Sequence, residues 1–477
     1  MTRLLLTLLS ACVPLSPADP LVSEPAPVAS RWSHRPLEPL LRLPEGARLH
    51  NTQISGDRAH WSAGVHLDGG AYELVDGFGL PGDEPLQYPS FVEGHSLYKL
   101  AREGSTFFVI DGEPAPQAAW EQLFHGPARR YVTAPDGCSD AVGALGHEAW
   151  VCPRGEGALV VLDGVEQPVY DGIPGLFMSA SGRLAYIATR GDRDLVVIDG
   201  SEGPPFEEIP ASIVLWPESQ GQNRSEPGLR FSAQGAVAYV ALADGRRTVV
   251  LDHEPLGLSA DWITDLGFAG EHLSFVAKRD GRERVVIDGR PGPSVDGISR
   301  HKRRGILLTE AGSVAYVAQS GDQERLGVGD QLGPAFDQVD LAGLLFSADE
   351  QSWAYVAKRG EAQVVVWRDR VGEAYMNIDQ LCLSAAGDHV AYTAFGEDAV
   401  VVRDHLPIGS GHSPALSPSG EHWLHIQGDQ LVVDGRDGPA FDGIWGPAFQ
   451  GEQQLSYLAL DGRDLGWVRV EAEPGSR

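Results

Sequence analysis

The sequence predicts an all-β protein built from about eleven four-stranded antiparallel repeats. Three observations carry that expectation. A fifteen-residue block recurs, as "LVVIDGSEGPPFEEI" from Leu195 to Ile209, "RVVIDGRPGPSVDGI" from Arg284 to Ile298 and "QLVVDGRDGPAFDGI" from Gln430 to Ile444. The Asp that ends each apolar run returns down the chain, at Asp76, Asp111, Asp163, Asp199, Asp252, Asp288, Asp330 and Asp434. No stretch of comparable length carries a strong helical period.

Thirty-six residues separate Asp163 from Asp199, and the same number separates Asp252 from Asp288. Two gaps are longer, 52 residues before Asp163 and 53 before Asp252, which marks insertions between units. Degenerate copies at 362–370, "AQVVVWRDR", and 398–405, "DAVVVRDH", fill the distance from Asp330 to Asp434, and "LGWVRVE" at 465–471 supplies a last one. A period near forty residues belongs to propellers and solenoids.

Each unit has one internal order, taken here from 175–209. "GLFMSASG" reads as a strand ending in a Ser/Gly turn. "RLAYIATRG" alternates and then turns. "DLVVIDG" is a continuous apolar run, the pattern of a strand buried on both faces. "PPFEEI" reads as the fourth strand after a Gly/Pro turn. Asp-Gly supplies the positive φ of a tight turn. An aromatic follows seven residues after the Asp (Tyr170, Phe206, Phe441) and an Ile follows ten after it (Ile173, Ile209, Ile298, Ile444). That regularity predicts packing between adjacent sheets. The competing reading is a ring of carboxylates, one per unit, holding Ca²⁺. Each turn offers one or two carboxylates, too few for such a loop, and recurrence itself favours architecture.

The segments "SASGRLAYIATRGDRDLVVIDG", "FSAQGAVAYVA" at 231–241, "FSADEQSWAYVA" at 346–357, "LSAAGDHVAYTA" at 383–394 and "LSPSGEHWLHI" at 416–426 resemble the WD40-like propeller repeats of the TolB type. The hallmark Phe-Ser-Pro-Asp-Gly has mostly Ala for Pro and often lacks the Asp. The resemblance runs from about residue 40 onward and implies a β-propeller; propellers host unrelated activities. The final unit holds three strands, and "HRPLEPLLRL" at 34–43 is expected to supply its fourth and close the fold. Eleven units exceed the usual four to eight blades, so two propellers or one very large ring are expected, with two favoured.

The start, "MTRLLLTLLSAC", has a positive residue, a short apolar run and small residues, the layout of a signal peptide over 1–11. Leu9-Ser10-Ala11-Cys12 resembles the lipobox of bacterial lipoproteins, which implies cleavage before Cys12 and acylation of that residue. Multiple acyl chains anchor stably. Val13 is not Asp, so the expected address is the outer membrane. Residues 12–31 are Pro-, Ala- and Ser-rich and read as a tether, and 32–477 as the repeat region. Cys138 and Cys152 flank a hairpin and are candidates for a disulfide; Cys382 reads as a buried small hydrophobe.

The net charge of −29 repels phosphate backbones and argues against nucleic acid. No Gly-x-Ser-x-Gly elbow, His-Glu-x-x-His or phosphate-binding loop occurs, so no catalytic residue, metal site or cofactor is expected. "SADEQSW" at 347–353 reads as an ordinary strand-turn, and His422 and His425 as residues of another. The irregular segments 215–228, polar, and 299–305, "SRHKRRG", are loops on a rigid frame, where binding residues tend to lie. Trp216, Arg303 and Arg304 are the candidates. The expected function is a non-enzymatic, lipid-anchored envelope scaffold for a protein partner. The alternatives are a carbohydrate- or small-ligand-binding propeller, an enzyme with its site in the central channel, and a surface adhesin or sensor.

Overall fold

The computed structural model describes residues 31–473, apart from 44, 46, 55–60, 68–69, 76–77, 80–83, 93–94, 103–104, 111–112, 116–133, 215–224, 300–305, 310 and 397. Among the described residues there is no helix, and eleven antiparallel sheets of four or five strands follow one another along the chain. Each sheet is a propeller blade. In chain order, blade 1 spans 48–79, blade 2 84–115, blade 3 139–166, blade 4 172–202, blade 5 229–260, blade 6 262–291, blade 7 297–336, blade 8 338–371, blade 9 377–410 and blade 10 412–440. Blade 11 spans 443–473 and takes its outer strands from the N-terminal segment.

Blade 4 shows why the repeat folds this way. Its strands Gly172–Met178, Leu184–Arg190, Arg193–Ile198 and Ser201–Glu202 pair in sequence order. Successive side chains of a strand point to opposite faces. Leu184, Tyr186 and Ala188 therefore join the apolar layer shared with blade 3, and Ala185 and Ile187 the layer shared with blade 5. The third strand, Leu195 to Ile198, divides in the same manner, which is why it reads as an unbroken apolar run.

The expectation for the fourth strand needs correcting. Ser201–Glu202 follows Asp199-Gly200 directly, so Asp-Gly is itself the hairpin turn between the third and fourth strands. "PPFEEI" is the link to the next blade, held by an isolated bridge between Asp194 and Phe206. The pairing Val328↔Gln331 likewise places Gly329, not Asp330, at the repeat position in blade 7.

The aromatic of the link packs edge-on against a buried tyrosine in the second strand of the next blade. Ring centroids lie 6.0 Å apart for Tyr170–Tyr186, 6.4 Å for Phe206–Tyr239 and 5.9 Å for Phe441–Tyr457. Such pairs add about 0.5–1.5 kcal/mol beyond area burial. Ile173, Ile209 and Ile298 are buried in the same inter-blade layers. The long gap before Asp252 is filled by a hairpin, Ser212–Val214 with Ser225–Pro227, flanking 215–224.

The chain divides into two compact units. One, His125–Leu341, is continuous and holds blades 3 to 7. The other joins Met1–Phe124 to Ala342–Arg477 and holds blades 1, 2 and 8 to 11. Within the latter, two N-terminal strands complete blade 11. Arg31–His34 pairs with the Val470 to Glu473 end of the last strand, and Glu38–Arg42 with the Asp464 to Trp467 end. The sequence pointed to 34–43; the pairing begins at Arg31. The outer edge of blade 11, which would otherwise present unpaired backbone, is thus covered.

Candidate functional site

Cys12, Trp216, Arg303 and Arg304, with Asp76 and Asp111, lie outside the described residues. Cys138 and Cys152 are joined in a disulfide beside the first hairpin of blade 3, with Cα atoms 4.3 Å apart. Cys382 is buried in the first strand of blade 9, but it is disulfide-bonded rather than a free thiol, which corrects its reading as a small hydrophobe.

The repeated Asp is a turn residue with a second task. It sits at positive φ in every described copy but Asp330, from 45° at Asp252 to 51° at Asp163 and Asp404. A Gly or His follows, also at positive φ, which makes the two-residue hairpin turn. The Asp side chain then reaches back to the start of the second strand. In blade 4 Asp199 Oδ1 accepts the Leu184 N–H at 3.1 Å and the Asp199 N–H donates to the Leu184 carbonyl at 2.9 Å. Asp163 holds Glu148, Asp252 holds Val237, Asp288 holds Leu273, Asp404 holds Val390 and Asp434 holds Trp423 in the same way. In five of these six, Asp252 excepted because Ala236 stands at that position, the other carboxylate oxygen takes a basic side chain one residue earlier. Nδ1 of His147, His272, His389 and His422 lies 2.7–2.8 Å from Asp163, Asp288, Asp404 and Asp434, and Arg183 Nε lies 2.6 Å from Asp199.

The same basic side chain couples blades. His147 lies over Gly182 of blade 4, where a Cβ would come within 2.7 Å of the ring. His389 lies over Gly420 of blade 10, and Arg183 donates to the Gly235 carbonyl of blade 5. Sequence reasoning treated the Ser/Gly turn and the Asp as separate signals. The residue that joins them, His or Arg directly after or one past the turn Gly and 12–16 residues before the Asp, was visible as "SGRL", "GEHL", "GDHV" and "GEHW".

Two further acid positions also hold backbone. At the start of the third strand, Asp194 accepts the Ile209 N–H at 3.1 Å, and buried Glu283 and Glu324 accept the Ile298 and Val339 N–H groups at 2.8 and 2.9 Å. In the links, Asp171, Asp296 and Asp442 accept N–H groups from turns of the following blade at 2.7–2.8 Å. Carboxylates engaged with fixed N–H donors and bases are poor cation ligands, so the recurrent Asp is an architectural residue.

A polar network lies on the first strands of blades 9 and 10. Gln380 and Ser413 occupy first-strand bulges at φ 54°, the place that Asp140 and Asp265 take in blades 3 and 6 at φ 44° and 54°. Ser413 N–H and Thr393 Oγ1 both donate to Gln380 Oε1, at 2.6 and 3.0 Å, and Gln380 Nε2 donates to Ser413 Oγ at 3.2 Å. His412 Nδ1 lies 3.0 Å from that hydroxyl, and burial lowers the His412 pKa. A serine and a neutral imidazole at this distance form half of a nucleophile–base arrangement. Among the described residues no carboxylate is hydrogen-bonded to His412, so the orienting third group of a triad is missing.

No family model and no curated protein matches the chain. Among solved structures it is similar to a crystal structure of a eukaryotic initiation factor, at 11% identity over 80% of this chain and 100% of that one, with a TM-score of 0.28. It is similar to TolB from Acinetobacter baumannii at 13% identity, over 61% of this chain and 79% of that one, with a TM-score of 0.20. It is also similar to the Dos1 propeller at 13% identity, over 63% and 91%, with a TM-score of 0.25. These values support no argument about function; the propeller assignment rests on the repeat and the sheet order.

Proposed function

We propose that this chain is a non-enzymatic, lipid-anchored protein of the cell envelope whose propeller is a scaffold for a protein partner. One observation carries the reading. The recurrent acids, histidines and arginines hold turns and neighbouring blades together, which leaves specificity to the segments that do not recur. Two of these are 215–224, inside the hairpin between blades 4 and 5, and 300–305, between the two halves of the first strand of blade 7. They carry Trp216, Arg303 and Arg304. Aromatic and Arg side chains dominate binding energy at protein interfaces. The anchor would be the acylated Cys12.

Crosslinking in cells, followed by capture from the solubilised envelope, tests the scaffold. A stoichiometric partner lost on deleting 215–228 or 299–305 is the expected result. A partner retained by both deletions would move the surface elsewhere, and recovery of the bait alone would end the scaffold reading. Cys12→Ala is expected to release the chain into the soluble fraction; an unchanged distribution removes the anchor.

A further inference from the structure

The link into blade 9 departs from those into blades 4, 5, 6, 7 and 11. In each of these links one residue donates its backbone N–H to a carbonyl near the end of the second strand of the blade it enters. The pairs are Asp171 to Thr189, Glu207 to Leu242, Asp261 to Lys278, Asp296 to Gln319, Asp442 to Leu460 and, for blade 9, Met376 to Phe395, all at 2.8–3.0 Å. In the first five the side chain is an acid. It accepts a backbone N–H two residues past that carbonyl, in the turn between the second and third strands: Gly191, Asp244, Asp280, Gly321 and Gly462, at 2.7–2.9 Å. In sequence Asp337 holds the same place, after Phe336, before blade 8. The link into blade 10 takes another course, with the Gly411 N–H donating back to Ala399 of blade 9. Met376 has no side-chain oxygen, and a thioether is a weak acceptor.

The rest of the blade 9 link is complete. Tyr375 bridges to Gln363 and stands edge-on to Tyr392 at 6.4 Å, as Phe206 does with Asp194 and Tyr239. Gln363 Oε1 accepts the Ile378 N–H at 2.6 Å, where Asp194 accepts that of Ile209. A neutral oxygen therefore serves at one of the two acid positions of this link. At the other, packing does not account for the apolar side chain, because Met376 is 76% exposed. Met178, by contrast, is partly buried in the layer between blades 3 and 4.

From this arrangement we propose that Met376 is an oxidation site for a peroxide, and that its sulfoxide oxygen becomes the missing acceptor for the turn closed by Phe395↔Ala399. The sulfur lone pair attacks one oxygen of hydrogen peroxide. The S–O bond forms, the O–O bond breaks, and a proton passes to the leaving oxygen, which departs as water. Sulfur loses two electrons and the peroxide gains them. Exposure sets access of the oxidant, which favours Met376 over Met178. The sulfoxide oxygen stands as many bonds from Cβ as Oε1 of Glu207, whose carboxylate spans two N–H groups of the blade 5 turn at 2.9 and 3.3 Å. The blade 9 turn reads "FGEDA" at 395–399 and carries two acids of its own, so a neutral acceptor meets less repulsion there than a third carboxylate. Oxidation of a core methionine disrupts packing; here it tightens a turn.

The test treats the full chain with hydrogen peroxide. It reads sulfoxide by peptide mass mapping and hydrogen exchange in peptides covering 390–403. Met376 is expected to gain oxygen about tenfold faster than Met178, and exchange in that hairpin should slow severalfold once it has. Met376→Leu should exchange fast with and without peroxide. Met376→Gln, which places a neutral oxygen where the sulfoxide has one, should exchange slowly without peroxide. The native chain before and after oxidation needs no substitution and decides the matter if either variant fails to fold. Oxidation of Met178 first, unchanged or faster exchange in the oxidised chain, or the same peroxide response in Met376→Leu would overturn the proposal.

Discussion

Blades 3 and 10 carry the same clasp in different surroundings. In blade 3 the His147 and Asp163 side chains are 52% and 41% exposed; in blade 10 those of His422 and Asp434 are 8% and 25% exposed. The cover comes from the N-terminal strand. Trp32 donates to Asp434 Oδ2 at 2.8 Å and stands edge-on to His422 at 5.1 Å. Two residues on, His34 lies over Gly438, as His405 lies over Gly372 between blades 8 and 9. The closing strand therefore repeats, without covalent continuity, contacts that adjacent blades make elsewhere. The motif sets geometry, and burial sets what the geometry contributes: an exposed pair is screened by water, whereas a buried one leaves unpaired groups when broken.

Trp32→Ala should produce the largest effect. It removes a buried indole from the blade 10–11 core and a hydrogen bond to Asp434. A loss of about 4–5 kcal/mol is expected for such a truncation. With two compact units a single unfolding energy is ill-defined, so the readout is hydrogen exchange in peptides from blades 10 and 11. Unchanged protection in 464–473 would show that closure does not depend on this side chain.

Asp434→Ala comes next, at about 3 kcal/mol. It leaves the His422 ring, the Trp32 N–H and the Trp423 N–H without their acceptor. The same clasp responds to pH from both sides. The hydrogen bond to Asp434 raises the His422 pKa, so its contribution is complete below the unfolded value of 6.5 and is lost as pH climbs through the raised value. Burial pushes Asp434 up, but hydrogen bonds from His422, Trp32 and the Trp423 N–H outweigh it and hold the carboxyl low. Its contribution is complete above the unfolded value of 3.8 and disappears as pH falls through the folded one. Exchange protection at Trp423 should therefore fall on the alkaline side in the native chain. His422→Gln should abolish that alkaline fall; if the fall survives the substitution, another group causes it.

The repeat, the blade count and the terminal closure were legible because each rests on local pattern. Asp-Gly marks a turn wherever it stands, and apolar runs mark buried strands. The basic residue of the clasp stands in plain view after the turn Gly, but its role was not legible, since its Asp lies 12–16 residues on and its Gly contact belongs to the next blade. Strand ends failed for a related reason: "PPFEEI" has strand composition, yet its place after a complete hairpin makes it a link.

Gly182→Ala separates conformation from contact. The residue has φ 81°, and the added methyl would lie 2.7 Å from His147 Cδ2. A loss of about 2 kcal/mol is expected, part from the left-handed backbone and part from the clash. His147→Ala in the same chain should recover the contact part and leave the backbone part, a non-additive cycle. Strict additivity in melting temperature would mean that the His147 ring moves aside at no cost.

Asp163→Ala should have the smallest effect, under about 1 kcal/mol, because an exposed pair contributes little and water replaces the lost acceptor for Glu148 N–H. The hydrogen bond from His147 holds Asp163 below its ordinary pKa, so its contribution is lost on the acid side, as at Asp434. The two substitutions remove the same carboxylate from the same motif. The gap between them measures what the Trp32 strand adds by excluding water. Equal losses at Asp163 and Asp434, read by exchange in blades 3 and 10, would show that the clasp acts through turn geometry alone and that the closing strand adds nothing to it.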